Sequence, residues 1–497
     1  MTEWHRHLPA DIDPASVDLG AGGTLPAAWA AKWAANRDRR VIHDPAQGWV
    51  LAGELLDRSA TIAGRLHRAG VSPGDRVILS ASSSAGLVCA HAALLRLGAV
   101  VMPTNGSYQK SEVTHVVGDA TPVAAIVDNV EWHRWLRSVN PDMLIVDVDV
   151  ELPDGPVPQH LDQVASEAPA MIGYTSGTTG RPKGAVLSHA NLLASVRALE
   201  IAWRWTPSDR LVLALPLFHM HGLGVGLHGT LTVGASAVLL PSFEPDAVLD
   251  AAAEHDATMF FGVPTMYTRL VSSPRARELQ RMRLCVSGSA PMPAELHARF
   301  EDASGQRVLE RYGMTETAML ISNPFELERR AGAVGFPLPG LEVRLEGEPA
   351  EIQVRGPNVF SGYWERPDAN AEAFVDGWFR TGDLGARDED GYISIVGRAK
   401  ELIISGGFNV YPREVEDAIL EHEAVRDCAV VGELDPEWGE TVVAYVIADR
   451  DISSEEMKDF VGLQLAAYKR PRTTYRLDEL PRNALGKVQK HRLEPPN

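Results

Sequence analysis

Cysteine is scarce. Cys89, Cys285 and Cys428 are the only three in 497 residues. They lie far apart, each in an apolar stretch, so no disulfide framework and no zinc-ligand spacing is present. Positive charge is short as well. Lys and Arg total 47 against 66 Asp and Glu, a formal net charge of −19, which gives a nucleic-acid role no global electrostatic support. Long hydrophobic runs are missing. The most apolar region, residues 87–102, is interrupted by His91, Arg96 and Gly98, so no integral membrane contact is expected. The opening residues Met1-Thr-Glu-Trp-His-Arg lack the apolar centre of a signal peptide. These absences lead us to expect a cytoplasmic protein in a reducing setting. An acidic chain can still bind an anionic nucleotide through a local loop.

What the chain has is length and alternation. It accommodates two or more domains with cores of their own. An apolar stripe at helical spacing runs over 51–69 and stops at Gly70. Residues 76–80 read as a strand, 85–97 as a helix and 98–102 as the next strand. A Pro/Gly/Asp loop at 153–158 is expected on the surface. Residues 171–175 read as a strand and 191–203 as the helix behind it, and a further strand–helix series starts at Arg210. Beyond Gly397-Arg-Ala-Lys400 the texture changes. Short strands at 402–405, 428–431 and 442–447 accompany a helix at 414–421 opened by Pro412. Ser453-Ser-Glu-Glu456 forms a capping box before a helix expected to run to about residue 467. The expected fold class is α/β. A large, multi-subdomain N-terminal domain of layered mixed sheets and helices would span 1–399, and a small α+β C-terminal domain 400–497.

The chemistry concentrates in Tyr174-Thr-Ser-Gly-Thr-Thr-Gly-Arg-Pro-Lys-Gly184. It holds three glycines, four Ser/Thr hydroxyls and one lysine. Glycines let backbone N–H groups curl around an anion, hydroxyls donate, and Lys183 adds charge. The pattern is a polyphosphate cradle, and it differs from the Walker loop because no Gly-Lys-Ser/Thr closes it. Further motifs follow in order: Pro216-Leu-Phe-His-Met-His-Gly222, Ser287-Gly-Ser-Ala-Pro291, Glu310-Arg-Tyr-Gly-Met-Thr-Glu316, Gly377-Trp-Phe-Arg-Thr-Gly-Asp383, Gly397-Arg398 and Pro481-Arg-Asn-Ala-Leu-Gly-Lys487. Each is weak alone. In this order and spacing they resemble the adenylate-forming superfamily of acyl-CoA synthetases, over nearly the whole chain.

The resemblance implies ATP-dependent ligation of a carboxylic acid to coenzyme A through an acyl-adenylate, with AMP and pyrophosphate released and Mg²⁺ required. Thr175, Ser176, Gly177, Thr178, Thr179, Gly180 and Lys183 would hold the β- and γ-phosphates. Tyr312 would stack on adenine opposite Gly288, Ser289 and Ala290, with Glu310, Arg311 and Gly313 beside it. Thr315 would touch the α-phosphate, and Glu316 would bind Mg²⁺, a hard cation suited to carboxylate and phosphate oxygens. Asp383 would accept from both ribose hydroxyls, helped by Arg398. Lys487 would stabilise the charge that shifts as carboxylate attacks phosphorus. The C-terminal domain would turn about Lys400. One pose inserts Lys487, and the other brings Gly406, Gly407 and Phe408 to the CoA channel.

The acid is less defined. His219 is implied beside the reacting carboxylate, with Val263 and Met314 in the pocket wall. His219-Met-His-Gly-Leu223, Gly262-Val-Pro-Thr-Met-Tyr267 and Arg311-Tyr-Gly-Met-Thr-Glu-Thr317 look like the malonyl-CoA synthetase branch. A malonate- or methylmalonate-like acid needs a cation for its second carboxylate, and Arg283 is the expected partner. Against this, residues 211–268 contain no Lys or Arg. Gly222, Gly226 and Gly229 share a helical face, which either leaves room for an acyl chain or permits tight packing. A medium- or long-chain fatty acid therefore competes. So does, from another class, a stand-alone adenylation protein that loads a carrier protein.

Overall fold

The computed structural model describes residues 3–20, 23–175, 182–405, 408–436, 438–483 and 486–495. Two large sheets organise the N-terminal part. In the first, of nine strands, six neighbours run parallel: Arg40–Asp44, Ser236–Leu239, Arg210–Leu213, Met259–Gly262, Leu284–Ser287 and Val308–Tyr312. In the second, of seven, Leu144–Val146, Ala124–Val127, Arg76–Ser80, Val100–Pro103 and Pro169–Thr175 run parallel, and Lys183–Ser188 returns antiparallel to the last. The parallel strands read as continuous apolar runs because helices cover both faces. Met259–Gly262 and Leu284–Ser287 are buried throughout.

The largest core lies between the sheets. It contains the helices Leu25–Ala35, Ala52–Arg68, Ala85–Leu97 and His189–Ala202. Every residue of Ala85–Leu97 is buried. Ser84 caps its first turn and Gly98 ends it in the left-handed region at φ 85°. The loop at 153–158 lies at the surface as expected, with Val157 55% exposed, and its inner side packs against the 52–68 helix. A Cβ on Gly155 would stand 2.3 Å from the Gly64 carbonyl oxygen, so two glycines meet backbone to backbone.

A third sheet carries Glu342–Glu346, Glu351–Arg355, Trp378–Arg387 and Ile393–Arg398. The turn joining its first pair is only four residues, 347–350. Beyond Ala399–Glu401 a separate sheet begins, with strands Ile403–Ser405, Phe408–Val410, Val425–Asp435, Gly439–Ala448 and Thr473–Arg476. The helices Pro412–Leu420 and Ser454–Val461 close its own apolar cluster. The architecture is thus α/β, a large N-terminal domain followed by a smaller α+β one. The last helix is shorter than expected: it ends at Val461, where Gly462 takes the cap. Among the described residues no helix is long and apolar enough to cross a membrane.

Candidate active site

The motifs gather where the carboxyl ends of the parallel strands open, the usual ligand crevice of such sheets. Thr175 ends one strand and Lys183 begins its antiparallel neighbour; the two residues pair directly. Residues 176–181, with Ser176, Gly177, Thr178, Thr179 and Gly180, lie outside the described residues. The two sheets meet at Gly173, where a Cβ would stand 2.5 Å from Thr315 Cγ2. Thr315 is thereby held against the strand that leads into the phosphate loop.

On the nucleotide side Asp383 is buried and doubly engaged. Its Oδ1 pairs with Arg398 Nε at 3.0 Å, and its Oδ2 accepts from the Tyr312 hydroxyl at 2.5 Å. The strand pairing that places Asp383 opposite Arg398 builds this contact into the third sheet. Lys487 faces the same group. Its backbone is pinned to Asn483: its N–H donates to Asn483 Oδ1 at 3.0 Å and its C=O accepts from the Asn483 N–H at 2.9 Å. Burial pulls its ammonium below the ordinary lysine value and Arg398 adds to this, while Glu401 and Asp383 oppose. A Cβ on the neighbouring Gly486 would stand 3.1 Å from Thr265 Oγ1. The C-terminal domain therefore docks with its lysine turn against the large domain, at a cavity of about 190 Å³ lined by Leu215, Pro216, Val263, Thr265 and Arg269.

Glu316 is buried, and burial raises its carboxyl above the ordinary value, against the pull of Tyr363 and Arg398. The Tyr363 hydroxyl donates to Glu316 Oε1 at 2.9 Å. Lys183 Nζ lies 5.2 Å from the centre of the same tyrosine ring. Tyr363 so joins the phosphate-loop lysine to the buried carboxylate. Sequence reading missed it, because it stands 47 residues from Glu316. Its approach depends on the pairing of Gly362–Tyr363 with the 183–188 strand, a contact no local pattern announces.

At the acid end, His219 is half-buried and neutral; desolvation, helped by Arg311, pushes its ring down to about 4. Its Nδ1 accepts from the His221 N–H at 3.2 Å, so the proton resides on Nε2, which is left as a donor. The His221 Nδ1 lies 3.3 Å from Ser289 Oγ. Arg311 lies beneath this pair. A Cβ on Gly288 would stand 2.4 Å from the Arg311 Cζ, so only glycine lets the strand end cover the guanidinium. The side chain is buried, and its Nε and Nη2 have no hydrogen-bond partner among the described residues. Burial pushes the group down to about 9, which leaves it charged at neutral pH.

Arg283 is a correction. It stands at the amino end of Leu284–Ser287, one strand length, about 13 Å, from the carboxyl-end crevice. Its guanidinium is bidentate to Asp209, with Nε–Oδ1 and Nη2–Oδ2 both 2.6 Å, and also donates to the carbonyls of Trp203 and Arg204. A group so committed has no capacity for an acid. Burial would raise Asp209, but the bonds from Arg283, Thr206 and Thr258 outweigh it and hold the carboxyl low. Its native value is depressed, so this pair's stabilisation is present above the unfolded value of about 3.9 and is lost as pH falls through the native one. Arg283→Ala is expected to cost about 3 kcal/mol by stranding Asp209, read by denaturant unfolding, with the preference among acids unchanged.

Glu310 also differs from expectation. Its carboxylate accepts from the Met292 N–H at 3.0 Å and lies 3.1 Å from His297 Nε2, so it braces the 288–292 loop and is not free for a nucleotide. Gly313 is tight for a similar reason: a Cβ there would stand 2.2 Å from the Ala318 carbonyl oxygen. Met314 is half-buried beside the main core. Phe408 is exposed and stacks on Tyr468 at 4.6 Å; Gly406 and Gly407 lie outside the described residues. Lys400 sits in the 399–401 turn between the third sheet and the C-terminal one.

Residues 29–364 match the AMP-binding enzyme family and residues 414–487 the C-terminal domain of AMP-binding enzymes. The chain belongs to the AMP-binding enzymes. It is an ATP-dependent acid–CoA ligase that works through an acyl-adenylate. The ATP-bound structure of MatB from Rhodopseudomonas palustris superposes at a TM-score of 0.88, with 37% identity over 94% of this chain and 98% of that one. The o-succinylbenzoate CoA synthetase of Bacillus subtilis, holding its acyl-adenylate, superposes at 0.87 with 31% identity and the same coverage. Among curated relatives, a feruloyl-CoA synthase from Amycolatopsis sp is 38% identical over 88% of this chain and 92% of its own length. A mitochondrial malonate–CoA ligase of Mus musculus is 34% identical over 98% and 93%. This ligase thus has relatives that act on quite different acids, and its own acid must be argued from its pocket.

Proposed function

We propose that this ligase activates malonate or a close short diacid such as methylmalonate. The observation that carries the reading is Arg311, a buried guanidinium with two unpartnered donor atoms beside His219, His221 and Ser289. Burying such a charge costs several kcal/mol unless something pairs with it. A second carboxylate on the substrate supplies the pair, and a monocarboxylic chain does not. Malonate–CoA ligases stand among its relatives at 34% identity.

The far wall supports a short acid. The His221–Leu227 segment is a π-helix, a form that recurs at functional sites. Gly224 and Gly226 there, and Gly229 in the helix that follows, are packed, not open. A Cβ on Gly224 would stand 2.0 Å from Met220 Sδ, on Gly226 2.9 Å from Leu213 Cδ1, and on Gly229 2.3 Å from the Trp205 ring. Behind His221 the rings of Phe261, Trp203 and Trp205 stack edge to face. This packing favours a short acid over a long acyl chain on that side.

In the first half-reaction Lys487 would neutralise the meeting anions while Thr175 and Lys183 hold the distal phosphates. His219 Nε2–H would orient the attacking carboxylate, and Tyr312, Asp383 and Arg398 the nucleoside. Glu316 fits Mg²⁺: a buried hard oxygen short of cations, in a site where phosphates and water complete the shell. Bound there, the ion would offset phosphate charge as pyrophosphate leaves. Rotation at Lys400, dividing 1–399 from 400–497, would then expose the adenylate carbonyl to the CoA thiol. A cytoplasmic setting goes with this reading, supported by three buried free cysteines.

The test is AMP formation with CoA across malonate, methylmalonate, butanoate, palmitate and ferulate. Malonate or methylmalonate is expected to give the highest kcat/KM, with palmitate inactive. A preference for ferulate would favour an aryl acid instead, the reading that the 38% identical relative supports.

A further inference from the structure

The helix Lys110–Ala120 belongs to none of the motifs above. Two of its side chains, His115 and Asp119, sit one turn apart on one face, and both reach the hairpin that carries Thr175 and Lys183. Asp119, its side chain only 6% exposed, accepts from the Tyr174 hydroxyl at 2.8 Å and is paired with Arg366. His115 Nε2 lies 2.8 Å from the Pro182 carbonyl oxygen. A carbonyl only accepts, so Nε2 bears the hydrogen and donates. The His115 ring also meets the Tyr174 ring edge-on, centres 6.2 Å apart at 80°. One helix face thus grips the incoming strand at Tyr174 and the outgoing strand at Pro182.

We propose that His115 and Asp119 are positioning residues for ATP, setting where Thr175 and Lys183 stand. The physical need is plain. The hairpin pairs Thr175 with Lys183 and Tyr174 with Gly184, and beyond that point its ends depend on side-chain anchors. Ladder ends open at low free-energy cost. Among the described residues the Lys183 ammonium meets the Tyr363 ring, a contact of about 1 kcal/mol. Two hydrogen bonds to a rigid helix, one on each side, hold the lysine and the threonine at fixed separation from Thr315 and Glu316. The inference is independent of which acid is activated.

The two half-reactions provide the test. Capture of a supplied acyl-adenylate by CoA involves no β- or γ-phosphate, so a clamp on the phosphate hairpin acts on adenylation alone. His115→Phe keeps the ring contact and removes the donor. It is expected to raise the KM for ATP roughly three- to tenfold, with the KM for the acid and the CoA-capture step unchanged. His115→Gln, whose amide can donate to the Pro182 carbonyl, is expected to recover most of the loss. Tyr174→Phe, which removes the hydrogen bond to Asp119 and leaves its pairing with Arg366, is expected to shift the same constant in the same direction. An unaltered KM for ATP in His115→Phe would overturn the proposal. So would a parallel fall of both half-reactions with a lowered melting temperature, since that is the mark of a merely structural contact.

Discussion

Lys487→Ala is expected to slow acyl-adenylate formation by about 10²–10³-fold while CoA capture of supplied acyl-adenylate proceeds unchanged. The asymmetry follows from what the lysine faces. A carboxylate must approach a triphosphate, and at about 4 Å two like charges repel by roughly 4 kcal/mol at an effective dielectric near 20. The Lys487 turn is held by Asn483 on both its N–H and its C=O, so the ammonium is presented on a preset support. Burial lowers its pKa below the ordinary value. The cation is therefore lost on raising the pH earlier than a free lysine would be. Adenylation is expected to fall in the alkaline range with an apparent pKa below 10.5, and that limb is expected to vanish in Lys487→Ala. Rapid-quench measurement of each half-reaction checks both statements; equal loss of the two steps would remove Lys487 from its role.

Arg311→Met is the second large effect. It is expected to reduce kcat/KM for malonate by about 10²–10³-fold, as when one partner of a buried ion pair is removed at a cost of about 2–5 kcal/mol. Butanoate, which cannot pair with the arginine, is expected to gain relative to malonate. Stability is expected to hold or rise, because an apolar side chain of similar length relieves a buried guanidinium whose Nε and Nη2 lack partners. That contrast separates recognition from structure. Arg283→Ala should do the reverse, lowering stability and sparing selectivity, since Arg283 is spent on Asp209. Kinetics on the acid pair, alongside unfolding curves of both variants, decide it. An unchanged malonate-to-butanoate ratio in Arg311→Met would contradict the assignment.

The two arginines also mark where the sequence was legible and where it was not. Each stands at one end of a strand, Arg283 just before it and Arg311 within it, and residue type alone cannot rank them. Strand direction can. Arg283 precedes Leu284–Ser287, whereas Arg311 lies near the end of Val308–Tyr312. In a parallel sheet the crevice opens at the carboxyl ends, so the topology points to Arg311. The 76–80 strand and the 85–97 helix were readable because local period and the Ser84 and Gly98 caps agree with their packing. The glycines of 222–229 left two readings open, because periodicity does not say whether Trp205 and Leu213 fill the space. Tyr363, His115 and Asp119 were invisible for one reason: each acts through a contact between distant chain segments.

The central claim is that an acid bearing a second carboxylate is joined to AMP in this pocket before sulfur is involved. Pyrophosphate–ATP exchange in the absence of CoA measures that step alone. Malonate or methylmalonate is expected to drive rapid exchange, butanoate to drive it weakly, palmitate not at all, and Arg311→Met to abolish the difference between malonate and butanoate. Exchange driven by palmitate as fast as by malonate, or no exchange with any diacid, would contradict the account.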